Sequence, residues 1–288
     1  MNLGRVLVPI PTPFDEKYHV DYRKANRIAR KVAESENVDA IIIQATSGEF
    51  FSLSFQERVD MYNEVRSAVD DKPLIAGVSA NTTAETIALT EAAQEAGADA
   101  ALIMPLGPLS QEEIYRHIEK VAKHSKIPII LYNIPFGAVM STDTVARLAK
   151  MSNVVGIKEG GPDPFLTARV LEEVPDFKVY AVSATKALLI LVQGGYGVVS
   201  DYILASKVKS LIQSFTEGDL ARALEIQREI LKIEPVWSTR PSFIPAFKYI
   251  FKLLGLDPGP PRPPLMELTA QEKEFVRKIL AQLGVELS

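Results

Sequence analysis

Three apolar runs of the sequence end in side chains that can do chemistry, and Lys158 is the most informative of them. A lysine at the end of a buried strand is partly desolvated, which disfavours the ammonium form and leaves a nucleophilic amine. Such an amine condenses with a ketone to an imine, and the imine withdraws electrons from a neighbouring carbon–carbon bond. Two other interpretations stay open, because this side chain can also extend to water or pair with Glu159.

Tyr132 ends the apolar run that precedes the Lys158 run, so the two side chains can converge. A phenol at that place can carry protons to and from a substrate. The alternative is a half-buried aromatic side chain with a satisfied hydroxyl.

The turn formed by Thr46, Ser47 and Gly48 supplies two hydroxyls and several backbone N–H groups. Such a turn suits a carboxylate or a phosphate, although the same residue types are common in ordinary turns. Glu49 comes next, and it either orients this loop or is solvated.

Other kinds of chemistry find little support in the sequence. There is no cysteine, which excludes disulfides, thiolate catalysis and cysteine-ligated metals. The histidines His19, His117 and His124 follow none of the apolar runs and show no metal-ligand spacing. No P-loop, nucleophile elbow or H-E-x-x-H motif occurs. We therefore expect neither a metal nor a cofactor.

Eight short apolar runs alternate with amphipathic helical stretches, which predicts eight strand–helix units and a (β/α)₈ TIM barrel. The absence of a G-x-G-x-x-G motif after the first run weakens the doubly wound alternative. The runs are Arg5–Ile10, Asp39–Ile43, Pro73–Val78, Ala100–Met104, Ile127–Tyr132, Val154–Lys158, Phe177–Val182 and Gly197–Ser200.

The pattern divides the chain into a barrel over residues 1–217 and a C-terminal helical extension over residues 218–288 that packs on the barrel. Helices are predicted over Asp219–Ile233 and Ser242–Leu254, and a last helix begins at Thr269 with Glu272 completing a capping box. Working residues of such barrels lie at the carboxyl ends of the strands, where Lys158, Tyr132 and the Thr46 turn fall.

Composition excludes several classes of protein. The 288 residues are 47% hydrophobic and 24% charged, as in globular proteins, and the net charge of −4 gives no reason to expect nucleic acid or an anionic membrane. No apolar run reaches the roughly 18 residues of a membrane helix. We expect a cytoplasmic protein with no membrane partner.

An ordered set of motifs resembles the dihydrodipicolinate synthase/N-acetylneuraminate lyase family, and the resemblance spans nearly the whole chain. Ala45–Glu49 is similar to the carboxylate-binding loop of that family, Tyr132–Pro135 to its Y-N-x-P motif, and Gly156–Glu159 to its G-x-K-[DE] motif. Further matches are Pro11–Phe14, Val20–Asp21, Gly77–Asn81, Ala92–Ala100 and Arg262–Leu265.

The resemblance implies roles for these residues. Lys158 would form the imine with pyruvate or another 2-oxo acid, Tyr132 would relay protons, and Thr46, Ser47 and Gly48 would bind the substrate carboxylate. An aldehyde would be the second substrate. The family also implies a homotetramer, or a homodimer of that type.

Two departures from the family pattern concern the second substrate. Residues 104–109 carry no hydroxyl that would complete a tyrosine relay, and residues 136–139 lack the arginine that grips an aldehyde's carboxylate in dihydrodipicolinate synthases. Phe136 and Leu106 would instead shape the aldehyde side. Lysine biosynthesis is therefore disfavoured.

The leading hypothesis is a class I aldolase or lyase acting on pyruvate-type 2-oxo acids such as 2-keto-3-deoxy sugar acids. The alternatives are a dihydrodipicolinate synthase-like condensation, a dehydration of a 2-keto-3-deoxy acid, or a barrel that binds 2-oxo acids without turnover.

Overall fold

Eight parallel strands close into a barrel in the computed structural model, which describes residues 3–69 and 71–285. The strands pair in chain order, and β8 pairs with β1. Their residues are mostly apolar and almost all buried, because the barrel interior covers one face and helices cover the other. The strands are β1 Val6–Pro9, β2 Ala40–Ile43, β3 Leu74–Gly77, β4 Ala100–Ile103, β5 Ile129–Asn133, β6 Val154–Glu159, β7 Lys178–Ala181 and β8 Gly197–Val199.

A helix follows each strand, and side-chain caps mark where several of these helices begin. Ser54 and Ser110 each open a capping box, and Thr82 accepts a hydrogen bond from the backbone N–H of Glu85. The helices are α1 Tyr22–Ala33, α2 Phe55–Ala68, α3 Thr83–Glu95, α4 Gln111–His124, α5 Thr142–Ala149, α6 Leu166–Glu173, α7 Ala187–Leu191 and α8 Ala205–Thr216. The predicted (β/α)₈ fold is confirmed.

Alternation along the strands divides the buried side chains between two cores. In β2, Ile42 lies inside the barrel, whereas Ile41 and Ile43 pack against the surrounding helices. The inner core is the smaller, and it includes Tyr132 and Tyr180.

The C-terminal extension is helical, as predicted. It consists of α9 Leu220–Leu231, α10 Glu234–Trp237, α11 Ile244–Leu253 and α12 Ala270–Gln282. Asp219 caps α9, and Thr269 and Glu272 form the predicted capping box of α12. The rings of Phe247 and Phe251 on α11 lie 5.1 Å apart, and Phe251 stacks on Tyr202, which follows β8. Helix α11 is thereby held against the carboxyl ends of the strands.

Within residues 3–69 and 71–285, no helix is long and apolar enough to cross a membrane.

Candidate active site

Lys158 lies near the end of β6, directly opposite Tyr132 of β5 in the parallel ladder. Its side chain enters the barrel mouth, and the residue is only 5% exposed. The Nζ atom lies 4.1 Å from the centroid of the Tyr132 ring, and it has no hydrogen bond or ion pair with another residue in 3–69 or 71–285. The amine is thus removed from bulk water and forms no ion pair with a carboxylate of the described residues.

Glu159 does not pair with Lys158, because successive residues of a strand point to opposite faces. Its carboxylate accepts hydrogen bonds from Asn133 Nδ2 (3.0 Å) and from the backbone N–H of Gly161. Asn133 Oδ1 in turn accepts from the backbone N–H of Met140 (2.9 Å). Burial raises the pKa of Glu159 to about 7, against the effect of these hydrogen bonds. Glu159 and Asn133 join the ends of two strands.

Tyr132 and Thr46 are linked through their hydroxyls. Tyr132 is 4% exposed, and its hydroxyl oxygen lies 3.3 Å from Thr46 Oγ1. Either oxygen can be the donor. The pair therefore forms a short path for a proton between the strand that carries Tyr132 and the loop after β2.

The loop after β2 contains a 3₁₀ turn over Thr46–Gly48, flanked by Gln44 and Glu49 with positive φ angles. The buried Arg58 holds this loop: its Nε donates to Gln44 Oε1 at 2.8 Å, and its terminal nitrogens donate to the carbonyls of Gly77 and Ser79. Ser47 is buried and its hydroxyl has no hydrogen bond within the described chain.

The backbone of Gly48 holds the loop after β2 in shape. Its backbone N–H donates to the Ala45 carbonyl, and its own carbonyl accepts from Thr12 Oγ1 at 2.6 Å. It is therefore part of the frame that holds the Thr46 and Ser47 hydroxyls.

Glu49 is fully buried, so the expectation that it orients the loop fits the structure and the solvated alternative is wrong. Lys248 Nζ lies 2.9 Å from Glu49 Oε1, and the backbone N–H of Arg262 donates to Glu49 Oε2. Lys248 also donates to the carbonyls of Thr12 and Pro260. Burial lowers the pKa of Lys248 to about 8, whereas the charge of Glu49 acts in the other direction. The C-terminal extension thus clamps the loop.

Lys158, Tyr132 and Ser47 line one cavity of about 240 Å³ at the barrel mouth. Phe136 and Leu106 do not line it, and Phe136 is exposed and packs on Phe51 (centroids 5.7 Å apart). The other lining residues are Pro9, Ile134, Val182, Ser183, Thr185, Lys186, Val199, Ser200, Asp201, Glu234, Trp237, Phe243 and Phe247.

Several of these lining residues were missed by the sequence analysis. Asp201 follows β8 and could have been found by the same strand-end rule that singled out Lys158. Lys186 lies in the turn after β7, and its side-chain amine has no hydrogen bond or ion pair within the described chain. Glu234 and Trp237 come from α10, and no local pattern connects that helix with the barrel mouth.

Among the described residues, no three His, Cys, Asp or Glu side chains come together as a metal site would require.

Comparison with known proteins places the chain in a family. The family model of the dihydrodipicolinate synthetase family matches residues 2–283. The chain belongs to this family. Its curated relatives include the 4-hydroxy-tetrahydrodipicolinate synthases of Moorella thermoacetica (32% identity over 99% of this chain and 100% of the relative) and Bacillus subtilis (34% over 98% and 100%).

Solved structures of the dihydrodipicolinate synthetase family agree with this fold. A dihydrodipicolinate synthase from Cyanidioschyzon merolae, solved with lysine bound, superposes with a TM-score of 0.93 at 31% identity, covering 99% of both chains. The enzyme from Aquifex aeolicus gives 0.92 at 30% identity, again over 99% of both chains. Members of the family are Schiff-base-forming class I aldolases that act on pyruvate, so the chain is a lyase-type enzyme of this kind.

Proposed function

We propose that the protein forms an imine between Lys158 and a pyruvate-type 2-oxo acid and uses it to cleave or form a carbon–carbon bond. One observation carries the proposal: the Lys158 amine is buried, has no ion-pair partner in residues 3–69 and 71–285, and faces the Tyr132 ring at 4.1 Å in the cavity at the barrel mouth. An amine so placed is a nucleophile held ready for a small ketone.

The order of events follows from the positions of the side chains. Lys158 Nζ attacks C2 of the 2-oxo acid, the carbonyl oxygen leaves as water, and the cationic imine draws electrons from C3. Tyr132 moves the proton, with Thr46 as its hydrogen-bonded neighbour at 3.3 Å. Thr46 and Ser47 hold the carboxylate within the turn that Gly48 helps to close.

The part of the cavity lined by the turn after β7 supports a second substrate that carries hydroxyls and a negative charge. Lys186 offers a cation without an ion-pair partner among the described residues, and the hydroxyls of Ser183 and Thr185 lie 2.9 Å apart beside it. With its C1 carboxylate held by Thr46 and Ser47, a 2-keto-3-deoxy sugar acid presents its hydroxyls to this side of the cavity, and an acid with a second, terminal carboxylate presents that group to Lys186. We therefore propose reversible release of pyruvate from such an acid as the reaction, with dehydration of the same acid as a variant.

A dihydrodipicolinate synthase-like condensation is the second candidate, because the curated relatives at 32–34% identity are named 4-hydroxy-tetrahydrodipicolinate synthases. Residues 136–139 carry no arginine, and Lys186 would have to bind the aldehyde's carboxylate in its place. A barrel that forms the imine without any turnover is the remaining alternative.

The imine is tested by incubating the protein with pyruvate, reducing with borohydride and locating the adduct by mass spectrometry. We expect an adduct on Lys158 that is absent from Lys158→Ala. The control is Lys186→Met, which removes another lysine of the same cavity and should keep the adduct. No adduct on the unchanged protein, or one that survives Lys158→Ala, would contradict the mechanism.

The reaction is tested by a panel of 2-keto-3-deoxy sugar acids assayed for pyruvate release and for dehydration, alongside pyruvate with aspartate 4-semialdehyde. Pyruvate release from a sugar acid is the expected result. Consumption of aspartate 4-semialdehyde would favour condensation, and an adduct without turnover on any substrate would favour a binding protein.

The assembly we propose is a homotetramer, or a homodimer, because members of the family are typically oligomeric. Light scattering coupled to size-exclusion chromatography tests it, and a monomer at micromolar concentration would contradict it. The cytoplasmic location stays a prediction from the sequence.

A further inference from the structure

We propose that Asp201 is the acid–base partner of Lys158, taking the proton from its ammonium group and returning it to the hydroxyl that leaves when the imine forms. This inference rests on the proposed imine chemistry, and it gives a role to a residue that neither the motifs nor the family resemblance pointed to.

The position of Asp201 is the first observation. Asp201 directly follows Ser200 at the carboxyl end of β8 and lines the same cavity as Lys158 of β6. In a barrel of this type, side chains from alternate strands share one layer of the interior. The ends of β6 and β8 therefore open into the same mouth, and Lys158 and Asp201 both line its wall.

The second observation is that Asp201 does not do the structural work expected at its place. It occupies the N-cap of the 3₁₀ turn Tyr202–Leu204, which leads into α8, yet its side chain makes no capping hydrogen bond. Apart from its own backbone N–H, no donor in residues 3–69 and 71–285 binds the carboxyl group. The Asp201 carboxyl group is therefore available to a molecule in the cavity that it lines.

The electrostatic surroundings suit proton exchange near neutral pH. Burial raises the pKa of Asp201 to about 6, and the charge of Lys158 acts in the opposite direction, as expected for a cation that lines the same cavity. No ion pair within 4.0 Å joins them in the described chain, so the exchange passes through a water or follows a small movement of the lysine. The other titratable side chains that line the cavity are Tyr132, Lys186 and Glu234.

The proton balance closes without any further reactant. The Asp201 carboxylate accepts a proton from the Lys158 ammonium, and the neutral amine forms a C–N bond to C2 of the oxo acid while the carbonyl oxygen gains a proton from Tyr132. The protonated Asp201 then gives its proton to the hydroxyl of the carbinolamine, which leaves as water, and the cationic imine remains. Tyr132 recovers its proton when the amine nitrogen of the addition product loses one.

The test measures the rate of imine formation with pyruvate between pH 5 and pH 8, by timed quenching into borohydride and mass spectrometry of the Lys158 adduct. For the unchanged protein, we expect the rate to fall below a midpoint near pH 6, where Asp201 becomes protonated. In Asp201→Asn, the rate at pH 7.5 should drop by about 10-fold or more, and the fall in rate below pH 6, the acidic limb of the profile, should disappear. An unchanged pH profile in Asp201→Asn would overturn the proposal.

Two further variants separate this role from a structural one. Asp201→Glu keeps a carboxyl group and should restore part of the rate and the acidic limb, and Glu234→Gln removes the neighbouring carboxyl and should leave the limb in place. Loss of the limb in Glu234→Gln, or no rescue by Asp201→Glu in a protein that melts like the parent, would count against Asp201. If the unchanged protein forms no adduct at any pH, the imine mechanism itself fails, which is a different result.

Discussion

Tyr132 and Lys158 occupy paired positions on β5 and β6, and the Lys158 Nζ atom lies 4.1 Å from the centroid of the Tyr132 ring. The ring face shields the amine from water, while the phenol oxygen extends beyond it to Thr46 Oγ1 at 3.3 Å. One side chain thus contributes both a wall of the lysine pocket and a proton-carrying hydroxyl. The two functions can be separated by mutation.

Tyr132→Phe should keep the wall and lose the proton carrier. We expect turnover to fall by about 100-fold or more, the usual range for loss of a general acid–base group, while the pyruvate adduct on Lys158 still accumulates, although more slowly, because Tyr132 also gives a proton to the carbonyl oxygen during imine formation. Steady-state kinetics and borohydride trapping on the same preparation measure both effects. The matched control is Tyr115→Phe on α4, outside the cavity, which should leave turnover unchanged. Full activity in Tyr132→Phe would remove Tyr132 from the mechanism.

Lys248→Met should destabilise the protein strongly, because it leaves the Glu49 carboxylate buried without its cation. Breaking a buried ion pair from one side costs about 3–5 kcal/mol. Denaturant unfolding compares this variant with Lys252→Met, which removes an exposed lysine of the same helix paired with Asp257 and should cost less than about 1 kcal/mol. Equal losses in the two variants would show that the clamp on the Thr46 loop adds nothing to stability.

Glu159→Gln should change how stability depends on pH. The folded-state pKa of about 7 lies above the ordinary value of 4.5, so the folded protein holds this proton more tightly than the unfolded chain does. The stability that the protonated group contributes is fully present below pH 4.5 and is lost as the pH rises through 7. The loss amounts to as much as about 3 kcal/mol.

Glutamine keeps the acceptor for Asn133 without ionising. Unfolding free energies at pH 5 and pH 8 should therefore fall less between the two pH values in Glu159→Gln than in the parent. Glu225→Gln, which changes an exposed carboxylate on α9, serves as the control and should follow the parent. Parallel curves for parent and Glu159→Gln would mean that Glu159 ionises normally.

Trp237 should report occupancy of the cavity, because it is the sole tryptophan of the sequence and lines the cavity beside Phe243. Adding pyruvate should change the intensity or wavelength of its emission in a saturable way. The same titration of Lys158→Ala should lose the part of the signal that depends on the imine. A flat titration of a protein that forms the adduct would place Trp237 away from the bound substrate.

Much of the barrel could be predicted from local sequence. The strands were visible because a strand covered on both faces is apolar at consecutive positions, and all eight predicted runs overlap observed strands. Lys158, Tyr132 and the Thr46 turn were predicted as site residues because each lies at or just after the end of such a run, and strand ends converge in a closed barrel. A single rule about strand ends therefore predicts the centre of the candidate site.

The same reasoning failed where contacts span long stretches of sequence. Glu49 and Lys248 are 199 residues apart, and nothing in either neighbourhood indicates that they pair. Arg262 belongs to a motif whose role the sequence does not indicate. It forms a salt bridge to Glu57 and donates to the carbonyls of Tyr18 and Ser52. The motif that contains Arg262 therefore holds the loops around Tyr18 and Ser52 in place.

The sequence by itself determined which residues end the strands and hence which side chains are available for chemistry, because hydrophobic alternation and capping act over a few residues. Only the tertiary structure decided which of them meet. Closure of the barrel places Asp201, after the last strand, in the same cavity as Lys158, and packing of α11 against the barrel pairs Lys248 with Glu49. Those juxtapositions depend on barrel closure and helix packing, and the free energy for both comes from burial summed over the whole chain.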